Sequence, residues 1–389
     1  MENLQSNIWK IYLYKFFISF WLIAPILIPF YQSNGLSSTQ IFIIQAAFAA
    51  STLIFEVPSG YLSDIIGRKK TLLIGSIFLP IGITFYAFSY SFLYFVLAEI
   101  IIGISVSMFS GTDSAMLYDT LAELKVTKKY KEIEGRSLFY EKIGTSLASI
   151  FGSLMAISFI RVPFYVNIIT SLALIPLAVS LKEPLRKRIS IENPLNGILE
   201  IVRYAFAHKE IRVLITYFSV VTATSLIGLW SYFMYYESLG LGIALYGIIF
   251  AVFQISSGYG SKTTHNLEAK LGPRTSLIVI LTIPIIFISL SFFNSFFMVI
   301  LILLNAFIWG FSGPLFFDYI NTKVESDIRA TLLSVMSMSS RVLFIIVSPL
   351  FGKIVDIYSL SNAYIFLAIV FLLIGVPCLY LLRNINRDI

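Results

Sequence analysis

Runs of about 20 mostly apolar residues, separated by short polar loops, recur from one end of this chain to the other. That is the length an α-helix needs to cross a hydrocarbon core. The apolar runs and loop breakers predict twelve helices, near 8–31, 38–62, 70–90, 93–121, 136–159, 162–182, 211–236, 243–264, 274–292, 296–320, 330–356 and 362–382. Several exceed the minimum span, which predicts tilt or extension beyond the membrane. A transmembrane β-barrel would show short alternating segments instead. Residues 183–210 form the one long polar stretch. There Pro184 and Pro194 bracket a basic run, and Leu195, Ile198, Leu199, Val202 and Phe206 then recur at helical spacing. The spacing predicts a short amphipathic helix on the cytoplasmic surface, a plain linker being the competing reading. The expected fold is therefore an all-α membrane protein of two pseudo-symmetric six-helix bundles, 1–182 and 211–389, joined by a linker over 183–210.

A second pattern supports duplication. Gly60 to Lys70, with Asp64, Gly67, Arg68 and Lys69 between them, sets an acid and three bases between two apolar runs. A degenerate copy, His265 to Arg274, lies 205 positions later, Gly272 matching Gly67. At the same offset Phe30-Tyr31-Gln32-Ser33 faces Tyr235-Tyr236-Glu237-Ser238, Gly35-Leu36 faces Gly240-Leu241, and Thr71-Leu72 faces Ser276-Leu277. A charged hinge repeated once per half is the mark of a membrane protein built from repeats.

Composition and charge agree. Hydrophobic residues are 58% of the chain, charged residues 13%, and the mean hydropathy is +0.87, against roughly a quarter charged in soluble domains. The net charge of +7 does not indicate nucleic acid, because the bases fall in alternate loops. They are Arg68, Lys69 and Lys70; Lys125, Lys128, Lys129 and Lys131; Lys182, Arg186, Lys187 and Arg188; then Lys262, Lys270 and Arg274; Lys323 and Arg329; Arg383 and Arg387. The intervening loops are nearly bare, Arg161 and Lys353 being the main exceptions. This positive-inside pattern places both termini in the cytoplasm of a cell (inner) membrane protein. The single Cys378 excludes a disulfide framework and a cysteine metal cluster. Trp9, Lys10 and Lys15 lead into a long run without a small-residue cleavage site, so the first segment reads as a retained helix.

Asp64 is set at the C-terminal end of the second helix, where a carboxylate meets the negative end of the dipole. It therefore needs a partner, either Arg68 or the N-terminus of another helix across the half-to-half interface. Gly60 and Gly67 allow the close approach that such docking requires. Gly60-x-Leu62-x-Asp64-x-x-Gly67-Arg68-Lys69-x-x-Leu72 resembles the motif that follows the second helix of the major facilitator superfamily, with Ile65 where a base is usual. The resemblance covers essentially the whole chain. It implies that Gly60, Asp64, Gly67 and Arg68 belong to a latch favouring the outward-open state, with Asp119 as a partner for Arg68. Glu56-Val57-Pro58-Ser59-Gly60, Ser110-Gly111-Thr112-Asp113 and Leu117-Tyr118-Asp119 look most like bacterial drug and metabolite proton antiporters. Two positions depart from that subgroup. Glu99 stands where many antiporters carry an arginine, and the fifth-helix motif is reduced to Gly144 and Gly152.

An ionisable side chain at bilayer depth costs at least ~2.5–3.5 kcal/mol and so asks for a cavity or a partner. Glu99, Gly103, Val106, Ser110, Asp113 and Leu117 form one stripe of the fourth helix, expected to face a central cavity. Gln45, Thr52 and Glu56 do the same in the second helix. Ser334, Arg341, Ser348 and Gly352 share a face of the eleventh, and Tyr217, Thr224, Ser231 and Tyr235 one of the seventh. Glu99, Asp113 and Glu141 are the candidate proton carriers, and Arg341 the candidate partner for an anionic group or an acid. A purely structural ion pair is the competing reading for each, and the preferred one for Asp318. Tyr14, Tyr217 and Trp230 are candidates for lining the path, where stacking or cation–π contacts would suit organic cargo.

Gly258-Tyr259-Gly260-Ser261-Lys262-Thr263 imitates a phosphate loop, but it lacks glycine immediately before the lysine and sits at the end of an apolar helix and not after a strand. His208 and His265 are lone, and no metal-ligand cluster or nucleophile–base pair has useful spacing. The expectation is a secondary transporter and not an enzyme. It would move a small organic molecule by alternating access, without cofactor or metal, and use an ion gradient, protons first, for export. Uptake of a nutrient, movement of a siderophore or lipid-like molecule, and a non-transporting receptor or scaffold are the alternatives. The expected partners are the lipid bilayer and the small-molecule substrate, and the expected state is a monomer.

Overall fold

Backbone N–H and C=O groups in a hydrocarbon core find no water, so apolar runs of this length must close their hydrogen bonds internally. They do so as helices throughout the computed structural model, which describes residues 2–185, 202–324 and 326–382; among these there is no strand. Before the linker come α1 Glu2–Ile18, α2 Leu27–Ser33, α3 Ser38–Ile66, α4 Arg68–Phe88, α5 Phe92–Phe109, α6 Thr112–Glu123, α7 Tyr130–Ala156, α8 Val162–Leu172 and α9 Leu174–Ser180. After the linker come α10 Lys209–Ser238, α11 Ile243–Leu271, α12 Pro273–Val279, α13 Thr282–Phe292, α14 Met298–Asn321, α15 Ser326–Ile357 and α16 Leu360–Leu381. Most of the expected linker helix lies outside the described residues; 202–207 are helical, with Val202 half-buried and Phe206 exposed.

Several expected helices are interrupted, and proline explains most of the breaks. Pro25 opens a 3₁₀ turn between α1 and α2. Pro176 and Pro284 each sit third in α9 and α13. With no N–H they cannot bond the carbonyl four residues back, so the helix restarts there. The fourth helix breaks at Gly111, whose left-handed φ of 72° separates α5 from α6. The single stripe expected from Glu99 to Leu117 is therefore interrupted between its two acids. Ten helices among the described residues are long and apolar enough to cross a membrane. The two expected crossings not among them are 8–31, broken by its turn, and 136–159, within an α7 that carries Glu132, Glu134, Arg136, Glu141 and Lys142.

The chain divides into two compact units. The first comprises Met1–Gly35, Ala47–Pro194 and Gly242–Ala251, and the second Leu36–Ala46, Leu195–Leu241 and Val252–Ile389. In the first, α4 packs on α5, α8 and α9, and α1 packs on α7. In the second, α10 is the central element, against α14, α15 and α16, while α13 packs on α16.

Each unit repeats the same internal bonds. Ser51 donates to the carbonyl of Ile100 at 2.8 Å, and Ser256, 205 positions on, to that of Leu303 at 2.8 Å. Ser59 donates to the Ser107 carbonyl at 2.8 Å, and Thr264, again 205 on, to that of Phe311 at 3.1 Å. The Tyr14 phenol donates to the Leu72 carbonyl at 2.9 Å, and Tyr217 to that of Leu277 at 2.9 Å. The turn glycines match too, with φ of 78° and 68° at Gly35 and Gly240, and 107° and 78° at Gly67 and Gly272. The duplication thus extends from the residue pattern to the bonds that tie helix to helix.

Candidate functional site

The charges do not follow the repeat, and that makes them informative. Three groups of ionisable side chains lie inside the first unit.

The first joins α1, α6 and α7. Lys15 Nζ donates to Glu134 Oε1 at 2.6 Å, pairs with Asp113 Oδ2 at 3.3 Å, and reaches Ser114 Oγ at 3.2 Å. Ser114 ties the two acids together, its N–H donating to Asp113 at 2.7 Å and its hydroxyl to Glu134 at 2.7 Å. Lys15 is only 3% exposed, whereas Asp113 and Glu134 keep 18% and 15%. One ammonium thus faces two carboxylates, so the fully ionised group carries one surplus negative charge. Asp113 was visible in the sequence as a charge within an apolar run. Lys15 and Glu134 were not singled out, because the bond between them joins residues 119 positions apart.

The second group is the hinge. Arg68 Nη1 pairs with Asp64 at 2.9 Å, and Arg68 Nε with Asp119 at 3.4 Å; Nη1 also donates to Ser63 Oγ at 2.9 Å. Asp64 therefore has Arg68, one of its two expected partners, and Asp119 takes the expected place beside Arg68. Glu183, missed in the sequence, completes the hinge. Its two carboxylate oxygens accept the N–H groups of Arg68 at 2.8 Å and Lys69 at 2.7 Å. A carboxylate there satisfies donors that the first turn of α4 leaves open and meets the positive end of the dipole. The signal was available as an acid directly after the sixth helix, next to Pro184.

The third group surrounds Glu99, which is 5% exposed. The Tyr31 phenol donates to it at 3.4 Å, and Tyr31 bonds in turn to Tyr86. Near them Arg161, 3% exposed, donates to the carbonyl of Ala87 at 2.9 Å and to Asn34 Oδ1 at 2.6 Å, and lies over the Tyr90 ring at 3.7 Å. An arginine in a loop otherwise poor in bases is thus fully engaged within its own unit.

Of the remaining candidates, Glu141 lies within electrostatic reach of the Lys15 group. Glu141 retains 32% exposure beside Lys142 at 4.0 Å. Gln45 is buried on α3, and Glu56 on α3 and Arg341 on α15 are half-buried. Tyr14 and Tyr217 are fully buried; Tyr217 packs edge-on against Phe316, its hydroxyl engaged by the Leu277 carbonyl. Trp230 is half-buried beside Phe233, ring centroids 6.4 Å apart. Among the described residues no cluster of histidine, cysteine or acids is arranged to hold a metal.

A duplicated helical bundle with paired charges buried inside apolar helices defines a membrane transport protein, not an enzyme. The chain belongs to the Major Facilitator Superfamily, whose family model matches residues 16–343. It is 23% identical over 394 residues to an uncharacterized MFS-type transporter of Methanocaldococcus jannaschii, covering 97% of this chain and 98% of that one. It is 26% identical over 259 residues to the quinolone resistance protein NorA of Staphylococcus aureus, covering 65% of this chain and 66% of NorA. Its fold is similar to the crystal structure of the nucleoside transporter NupG, with a TM-score of 0.80 at 14% identity, over 98% of this chain and 100% of that one.

Proposed function

We propose that this transporter exports a small organic molecule in exchange for protons, and that Asp113 and Glu134 carry the coupling charge. The single observation behind this reading is the odd number of charges in the Lys15 group. One ammonium neutralises one carboxylate, and the surplus carboxylate can take a proton or the cationic part of a cargo, but not both at once. Mutual exclusion at one charge is the minimal requirement for exchange. The likeness to a quinolone resistance protein supports export of drug-like cargo. In this reading the energy comes from the proton gradient without a cofactor. The protein works as a monomer in the cell membrane with both termini cytoplasmic, and Asp64, Arg68 and Asp119, with Gly60 and Gly67, act as the conformational latch. Glu99, Glu141, Gln45, Glu56, Arg341 and Trp230 remain path candidates, and Tyr217 serves as an anchor for α10.

Asp113→Asn tests the coupling directly, because it removes the surplus charge and leaves Lys15 paired with Glu134. In liposomes with an imposed pH gradient, the unaltered protein should move protons when a cationic dye such as ethidium is supplied, and D113N should not. Unchanged proton movement in D113N removes Asp113 from this role. A second reading, uptake of a neutral nutrient, draws on the fold shared with a nucleoside transporter; it predicts solute counterflow indifferent to the pH gradient.

A further inference from the structure

Among the six polar side chains of the second unit that hold buried atoms with no hydrogen-bond partner among the described residues are Asn305 at both Nδ2 and Oδ1, Tyr232 at its hydroxyl, Ser225 at Oγ and Thr222 at Oγ1. Asn305, Ser225 and Tyr232 are 0%, 0% and 1% exposed. Each buried, unpartnered polar group costs about 1–3 kcal/mol. Native interiors hold few of them, and those that persist have a reason.

Helix register brings these four together. α10 and α14 run antiparallel and are placed at two levels, the second through Ser295 in the turn before α14. Phe218 and Phe316 meet at a ring distance of 5.7 Å, and the Ser295 N–H donates to the Tyr235 hydroxyl at 3.2 Å. Facing residue numbers therefore total 534 at one level and 530 at the other, which sets Asn305 level with about residue 227. The faces agree as well. Thr222, Ser225 and Tyr232 follow Phe218 by 4, 7 and 14 positions, all on its side of the helix. Asn305 precedes Phe316 by 11 positions, three turns along the same stripe of α14. Ser225 and Tyr232 thus bracket Asn305 from the facing helix, with Thr222 one turn away.

Two other tyrosines of α10 are differently placed. Tyr217 and Tyr235 each donate to a main-chain carbonyl, at 2.9 Å on Leu277 and 2.6 Å on Phe293. The four groups include no charge. Asn305 supplies both a donor and an acceptor, and three hydroxyls supply either.

We propose that Asn305, Ser225, Tyr232 and Thr222 form a buried binding site for an uncharged hydrogen-bonding group, either water or a hydroxyl or amide of a solute. A polar site with several convergent partners is where an interior holds ordered water.

X-ray hydroxyl-radical footprinting of the full chain in lipid nanodiscs tests this, since radicals made from a bound water label the side chain beside it even where bulk solvent does not reach. Tyr232 should be labelled several-fold faster than Tyr217, an equally buried internal reference. Asn305→Leu should abolish that excess. Ser225→Ala, a smaller change, should reduce the labelling by itself. Repeating the measurement with glycerol and with uridine separates the sources. Protection of Tyr232 by either assigns the site to a solute's polar group, and labelling that neither protects assigns it to water. Labelling of Tyr232 no faster than Tyr217, or labelling that neither N305L nor S225A reduces, overturns the proposal.

Discussion

At the scale of single residues, Lys15 shows how a membrane interior tolerates charge. The lysine is 3% exposed and meets two acids that keep a little solvent contact. Removing one member of a buried ion pair costs about 3–5 kcal/mol, chiefly because its partner is left charged and unpaired. Lys15→Met should thus lower the unfolding free energy by about 3 kcal/mol, the low end of that range, since its partners are not wholly buried. The triple variant K15M/D113N/E134Q should recover most of the loss. Thermal unfolding in detergent measures both, and a K15M midpoint equal to that of the unaltered protein would show that the pairing stabilises nothing. Asp113 was legible from the sequence because an acid in an apolar run has few innocent explanations. Lys15 was not, because a base near the start of a first helix is ordinary and its partners follow 98 and 119 residues later.

At the scale of elements, the hinge between α3 and α4 explains why Gly67 is glycine twice over. Its φ of 107° lies where side chains are strained, and a Cβ there would come within 2.9 Å of the Glu183 carboxylate. Gly272, its counterpart in the repeat, shares the positive φ of 78° but has nothing within 4 Å of the same position. Gly67→Ala should therefore cost more than Gly272→Ala. Backbone strain, about 1–3 kcal/mol, is common to both, and only G67A also displaces the Glu183 cap. Comparing their thermal midpoints checks this, and equal losses would mean that the cap contributes nothing. Helix positions were largely legible here, since apolar length and loop polarity are local properties. The breaks at Ala173 and at Ile280–Leu281 were less so. Proline interrupts helices there, yet Pro58, Pro80, Pro314, Pro349 and Pro377 lie within unbroken ones, and neighbouring packing decides between the two outcomes.

At the scale of the whole molecule, the repeat and its exceptions divide the labour. Serines, threonines and tyrosines that tie helices together recur about 205 positions apart, whereas the ionic groups do not. Pro273 and Ala269 stand 205 positions after Arg68 and Asp64, so neither charge has a counterpart at that offset. In the proposed latch these charges bias the equilibrium between transport states. In a Cys378→Ser background, Asp64→Asn should shift the reactivity of engineered cysteines toward the inward-open pattern, and an unchanged pattern would remove Asp64 from the latch. The family and the duplication were legible in the sequence because both rest on spacing. The odd charge count of the Lys15 group was not, because it depends on which distant side chains share one pocket.

That same group has a consequence for how the protein is made. Lys15 leaves the ribosome 98 residues before Asp113 and 119 before Glu134. At synthesis rates of about 5–20 residues per second, it waits roughly 5–24 s for its partners. During that interval the first helix carries an ammonium without the two carboxylates it meets in the folded protein. The first helix therefore completes its ion pairs only when the segment holding Asp113 and Glu134 arrives, late in the synthesis of the first half.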